Sequence, residues 1–152
     1  MVIPSGPLAA IACIRGEGQL RGTVKFYPTN CATLVYADVE GLPGNGTDFF
    51  AMHIHEGNNC AGTEYCETGG HYNPDAQRHP LHAGDLPPLL SEHGRALLAV
   101  ETSRFNVWEI VGRTVVIHSG RDDFSSQPYR RWPRSTPFHP AAPQPRRRAH
   151  GD

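Results

Sequence analysis

Residues 48–55 read DFFAMHIH and follow, after Thr47, the segment GLPGNG at 41–46, whose glycines, proline and asparagine mark a turn. The octet is short, aromatic and apolar, and it ends in H-x-H. Read as a strand, it alternates with period two, so His53 and His55 lie on one face. The same rhythm extends in both directions. Residues 8–15 and 19–27 are strand-like runs separated by GEG, and 31–39 alternates and is rich in β-formers. Downstream, 95–101, 105–110 and 114–118 complete the set. Many short strands with frequent turn signals and no stretch of helical period predict an all-β sandwich or barrel. No internal repeat is visible. One segment breaks the rhythm: residues 57–90 are irregular and rich in Gly, Pro, Asn and His. Long loops inside compact domains usually carry function, and the histidines point the same way.

The 152 residues suit one domain with a sizeable core. Their net charge of −1 hides two unlike parts. Residues 1–128 hold 8 Lys+Arg against 14 Asp+Glu, a balance of −6, whereas residues 129–152 hold 6 Arg and one acid, a balance of +5. The last segment also carries 5 of the 14 prolines and 1 of the 16 glycines, so a β-domain over 1–128 and a basic, Pro/Arg-rich disordered tail over 129–152 are expected. The acidic body argues against a nucleic-acid surface, because phosphate binding needs clustered cations. No apolar run approaches the roughly 20 residues of a membrane-crossing helix. MVIPSGPLAA has no basic residue, so it does not read as a secretory signal: either the protein stays in the cytoplasm, which is slightly favoured, or a leader lies outside this sequence, and the compartment stays open. Cys13, Cys31, Cys60 and Cys66 form no C-x-x-C pair, which weakens a redox-motif or zinc-ribbon reading.

Six of the nine histidines form a pattern. After His53 and His55 come His71, His79, His82 and Asp85, spaced H-x7-H-x2-H-x2-D, and His118 closes the run VVIH. Neutral imidazole is the commonest metal ligand. One carboxylate among imidazoles suits zinc, and a nitrogen-only set suits copper or nickel. Six histidines and one aspartate are too many for one tetrahedral ion. They fill two four-coordinate sites if one imidazole bridges both metals through its two nitrogens. A lone H-x-H is weak, and loop histidines are more often merely solvated, but several spacings agree here. His93 in SEHGR reads instead as a surface turn residue, and His139 and His150 fall in the tail. Cys13 and Cys31 are expected to be small buried hydrophobes. Trp108 and the aromatics at 26, 27, 49 and 50 are expected in the core or an interface.

In order, AMHIHEG, GGHYNP, HAGDLP and GRTVVIHSGRDD resemble the copper/zinc superoxide dismutase family in its bacterial, short-loop form. The resemblance covers roughly residues 11–128 and implies a Greek-key β-sandwich or barrel that dismutes superoxide to dioxygen and hydrogen peroxide. It implies copper on His53, His55, His71 and His118, and zinc on His71, His79, His82 and Asp85. His71 would be the shared imidazolate and the catalytic proton carrier. Asp122 matches the family's carboxylate that orients one copper and one zinc histidine, here His53 and His79. Cys60 matches the cysteine that tethers the long loop to the last strand through a disulfide. Superoxide is the expected substrate; the family often forms homodimers but its bacterial members vary, so a second copy is one partner the resemblance allows and the oligomeric state stays open.

After FSSQP at 124–128 the pattern departs. The family continues with a glycine-rich segment, an arginine that guides superoxide, and a final cysteine-bearing strand; here the chain reads YRRWPRSTPFHP. By position the guiding arginine, the partner of Cys60 and the last strand are missing or replaced, and neither Arg130, Arg131 nor Arg134 aligns with the family's arginine. The tail reads either as a solvated extension or as an out-of-frame translation of a GC-rich gene. A metal-binding β-domain that is non-enzymatic or weakly active is the alternative expectation.

Overall fold

The structure, a computed structural model, describes residues 6–16, 18–58 and 68–125 and the backbone of 139–140. Three antiparallel strands open the chain: β1 (Ala10–Arg15), β2 (Arg21–Pro28) and β3 (Thr33–Glu40). Alternation decides their facing. Val24 and Phe26 on β2, and Val35, Ala37 and Val39 on β3, are buried, while Tyr36 and Asp38 are half-buried and Glu40 is exposed on the other face. The chain then crosses to the far edge as β4 (Thr47–Phe50) and passes into β5 (Met52–His55). After the long loop, β6 (Leu89–Glu92) pairs with β4, and β7 (Arg95–Thr102) returns beside β3. One helical turn, α1 (Val107–Ile110), leads to β8 (Thr114–Ile117), which pairs with β5. The strand order is β4-β6-β7-β3-β2-β1-β9, with β9 (His139–Pro140) at the far edge, in one sheet and β5-β8 in the other. Placing β7 against β3, with β4 and β6 beyond it, is a Greek-key excursion.

The ribbon β5–β8 positions the site. Both strands are buried along their whole length. Met52, Ile54, Val115 and Ile117 join Ile14, Val24, Val35 and Val39 in one hydrophobic core. His53 and His55 are the alternate residues of β5, so the ribbon has a dry core on one face and imidazoles on the other.

Four details differ from the sequence expectation. Residues 48–55 are two strands, because Ala51 pivots between the sheets: its N–H donates to Gly120 O at 2.9 Å and its carbonyl accepts from His118 N at 2.8 Å. Residues 105–110 contain α1 rather than a strand. The spacing of buried Val107 and Ile110 is helical, and the Glu109 carboxylate accepts the Asn106 N–H at 2.5 Å, an N-terminal cap written as N-x-x-E. Strand β6 begins at the end of what reads as irregular chain and runs two residues past it, to Glu92. It forms a tight hairpin with β7 through His93 and Gly94, which have φ of 51° and 80°, the left-handed pair that a two-residue hairpin loop requires. Cys31 is exposed and Cys13 is only half-buried, so neither is a core thiol. Among the aromatics, Phe26 and Phe50 are buried, whereas Phe49 and Trp108 stand exposed.

Beyond residue 125, the strand β9 (His139–Pro140) pairs with the open edge of β1 through Cys13↔His139 and Ala12↔Pro140. Proline is tolerated there because an edge strand leaves one side of its backbone unpaired. The rest of the expected tail, and Cys60 and Cys66, lie outside the described residues.

Candidate metal centre

The long loop is laced to β5 by its backbone. Tyr72 N donates to Ile54 O at 2.7 Å, Ile54 N to Gly84 O at 2.8 Å, and Gly84 N to Tyr72 O at 2.8 Å. Glu56 N reaches Gly70 O and Leu86 N reaches Met52 O. These bonds set single-residue bridges opposite the ribbon, His55 with His71 and His53 with Asp85. The weave requires a glycine at 84, where a Cβ would lie 2.3 Å from Ile54 O. Loop residues 71 and 85 are thereby carried to the imidazole face of β5.

Two overlapping groups result. His53, His55, His71 and His118 each place one ring nitrogen within 4.8 Å of the others, and so do His53, His71 and His79 with an oxygen of Asp85. His53 and His71 stand in both, with their rings stacked at 4.0 Å between centroids. His82 falls outside the second group but adjoins it, with Nδ1 3.3 Å from His71 Nδ1 and 3.1 Å from Asp85 Oδ2. Every histidine in the sequence pattern, together with Asp85 and Asp122, is thus brought to one place. His93 is not: it sits in its hairpin turn, with Nδ1 at 2.8 Å from Asn45 O.

On the strand side the imidazoles are dry. Burial pushes the pKa of His55 down to about 3 and that of His118 to about 2, and it lowers that of His53, so all three are neutral at physiological pH. His55 donates Nδ1–H to Gly69 O at 2.9 Å, which leaves Nε2 buried with no hydrogen-bond partner. His53 donates Nε2–H to Asp122 at 2.9 Å, so the Nδ1 lone pair faces His118 Nε2 at 2.9 Å. A buried orphan lone pair beside two converging ring nitrogens is a costly arrangement for a protein alone. It fits a cation that takes nitrogen ligands.

On the loop side one carboxylate organises three rings. Asp85 lies 2.8 Å from His71 Nδ1, 3.1 Å from His79 Nδ1 and 3.1 Å from His82 Nδ1, and it also accepts the His82 N–H at 2.9 Å. Burial is the largest single influence on its pKa and raises it. The His71 bond and the neighbouring imidazoles outweigh that and hold the carboxyl down near 2. Three Nδ1 atoms converging on one ionised carboxylate fit a three-histidine, one-aspartate zinc set.

Asp122 joins the halves. Oδ2 accepts from His53 at 2.9 Å and Oδ1 from His79 at 2.8 Å, with a further bond from Phe124 N. Burial raises its pKa, but the bonds from both histidines and from Phe124 prevail and keep it well below the usual carboxylate range. The sequence does not reveal three supporting groups: the Gly69 carbonyl, Gly84, and Arg104, whose guanidinium bonds the carbonyls of His82 and Asp85. HAGD contains a signal for Gly84, but nothing in the chain near Arg104 points to the loop.

The chain matches the family model of copper/zinc superoxide dismutase (SODC) over residues 20–142, a span that passes Pro128, where the sequence resemblance is expected to end. It is 31% identical over 130 aligned positions to superoxide dismutase [Cu-Zn] 2 of Aquifex aeolicus, covering 76% of this chain and 75% of that one. It is 34% identical over 128 positions to superoxide dismutase [Cu-Zn] of Botryotinia fuckeliana, covering 75% and 80%. It is also 32% identical over 127 positions to the human copper chaperone for superoxide dismutase, covering 76% of this chain but spanning only 43% of the chaperone.

Proposed function

The chain belongs to the copper/zinc superoxide dismutase family, and from that premise we propose that it converts two superoxide anions and two protons into dioxygen and hydrogen peroxide. The observation that carries the reading is that two adjoining ligand groups share His53 and His71, and that of these two only His71 turns its second nitrogen to Asp85 and His82, whereas that of His53 is taken by Asp122. The family's metals are copper and zinc. His53, His55, His71 and His118 would hold copper; His71, His79, His82 and Asp85 would hold zinc. Bound copper supplies one-electron oxidation and reduction, and bound zinc supplies charge without redox chemistry.

The chain's own residues then have distinct tasks. Burial keeps His53, His55 and His118 neutral, so their lone pairs are available without competing protons. Asp122 fixes the tautomers of His53 and His79 by accepting Nε2–H from each. His71 faces Asp85 through Nδ1, which leaves Nε2 as the atom on the copper side. We assign that nitrogen one of the two protons needed by the peroxide product, the other coming from solvent, with Asp85 holding the ring in place while it is taken up and given away.

A second reading is favoured by the copper chaperone relatives, whose identity to this chain is similar to that of the dismutases, and by the sequence expectation that no arginine of this chain stands at the family's guiding position. It is a metal-binding β-domain that handles copper without rapid turnover. Electrostatic focusing by such a cation is worth about 10–10³ in association rate. The test is superoxide decay, followed by stopped flow, with protein loaded with copper and zinc. Decay in proportion to loaded protein supports the dismutase. Full loading with no decay above the copper-free sample leaves the metal-binding reading.

A further inference from the structure

We propose that Arg104 is a positioning residue for the loop half of the centre, gripping the turn that presents His82 and Asp85; this rests on the reading of that half as the zinc site. Arg104 follows the end of β7 and is anchored to it. Its backbone N–H and its Nε both donate to Thr102 Oγ1, at 3.3 and 3.2 Å, and Thr102 is buried. From that fixed base the guanidinium reaches across to the loop. Nη1 donates to His82 O at 3.1 Å and Nη2 to Asp85 O.

These two carbonyls stand at the ends of the turn HAGD. The turn closes on itself through Asp85 N to His82 O at 3.1 Å and His82 N to Asp85 Oδ2 at 2.9 Å. Neither bond refers the turn to the rest of the fold. Gly84 within the turn is bonded to Ile54 and Tyr72, and Arg104 ties the two ends of the turn to β7, a strand held along its whole length by β3. The direction of each carbonyl follows its peptide plane, and that plane sets where the neighbouring side chain leaves the backbone. Holding both carbonyls therefore fixes the aim of the His82 ring and the Asp85 carboxylate together. Arginine is suited to this role, since its planar fork offers five donors in a fixed geometry, whereas a lysine ammonium is a single point on a flexible stem.

The strand half is anchored separately. His53 and His55 belong to β5, and His118 is held by its N–H bond to Ala51 O. Loss of Arg104 should thus be felt at one half only. The test uses full-length protein with Arg104→Met and Arg104→Lys. Zinc affinity is measured by competition with a chelator, Co(II) absorption serves as a probe of the zinc position, and copper affinity is measured on the same samples. Arg104→Met should weaken zinc and Co(II) binding by about 10–100-fold and alter the Co(II) bands, with copper affinity retained, and Arg104→Lys should fall between. Wild-type zinc affinity and Co(II) bands in either variant overturn the proposal, as does an equal loss of copper and zinc. If Arg104→Met fails to fold, Arg104→Lys alone decides. If the wild-type protein binds neither zinc nor Co(II), the reading of the loop half fails first.

Discussion

The strand half and the loop half of the centre are built from the same side chain by different means. His53, His55 and His118 sit on or beside the β5–β8 ribbon and are no more than 5% exposed. The side chains of His79 and His82 on the loop are 12% and 18% exposed. In the first half, desolvation keeps the rings neutral, and backbone and carboxylate acceptors take up their spare N–H groups. In the second half, an ionised carboxylate gathers the rings around it. A sheet fixes a dry, nitrogen-only set, whereas a loop can bring a carboxylate and stay near water. That contrast matches the preferences of a redox-active copper and a structural zinc. His71, on the loop but bridged to His55 on the strand, stands where the two meet.

The largest expected effect breaks the strand half alone. His118→Ala should abolish copper-dependent superoxide turnover, measured as decay above the copper-free sample, while zinc binding to the loop half persists. Asp85→Ala is the reciprocal: zinc binding, read by chelator competition, should be lost while the strand half still takes copper. Asp122→Ala touches one histidine of each half, so it should weaken both metals by about 10–100-fold in the same titrations. Gly84→Ala places a Cβ against Ile54 O where loop and strand are laced, and it should lower unfolding stability in urea by about 1–3 kcal/mol. His93→Gly, at the left-handed hairpin position outside both halves, should stay within about 0.5 kcal/mol of the parent and leave both metals bound.

Much of the site was legible because its chemistry is written as spacing. H-x-H in a strand puts two rings on one face, and the structure keeps His53 and His55 together for that reason. The loop histidines were legible as a cluster, but their placement was not, since it depends on backbone bonds such as Tyr72 N to Ile54 O that leave no pattern in composition. The same limit explains the errors in the fold. Ala51 splits residues 48–55 through hydrogen bonds to residues 118 and 120, which are distant in sequence. Residues 105–110 fit period two as well as a helical turn, and the N-x-x-E cap decided between them. Strand β6 was hidden because only its left-handed turn, His93-Gly94, distinguishes it from the proline-rich chain before it. Arg104 was invisible for a related reason: its partners lie 22 and 19 residues away and are carbonyls, which every residue has.

The central claim is that one chain carries two chemically different metal positions joined at His71. The metal content of wild-type protein, offered both copper and zinc and then dialysed, tests it most directly. The account predicts one copper and one zinc per chain. One metal per chain, whichever it is, would contradict it.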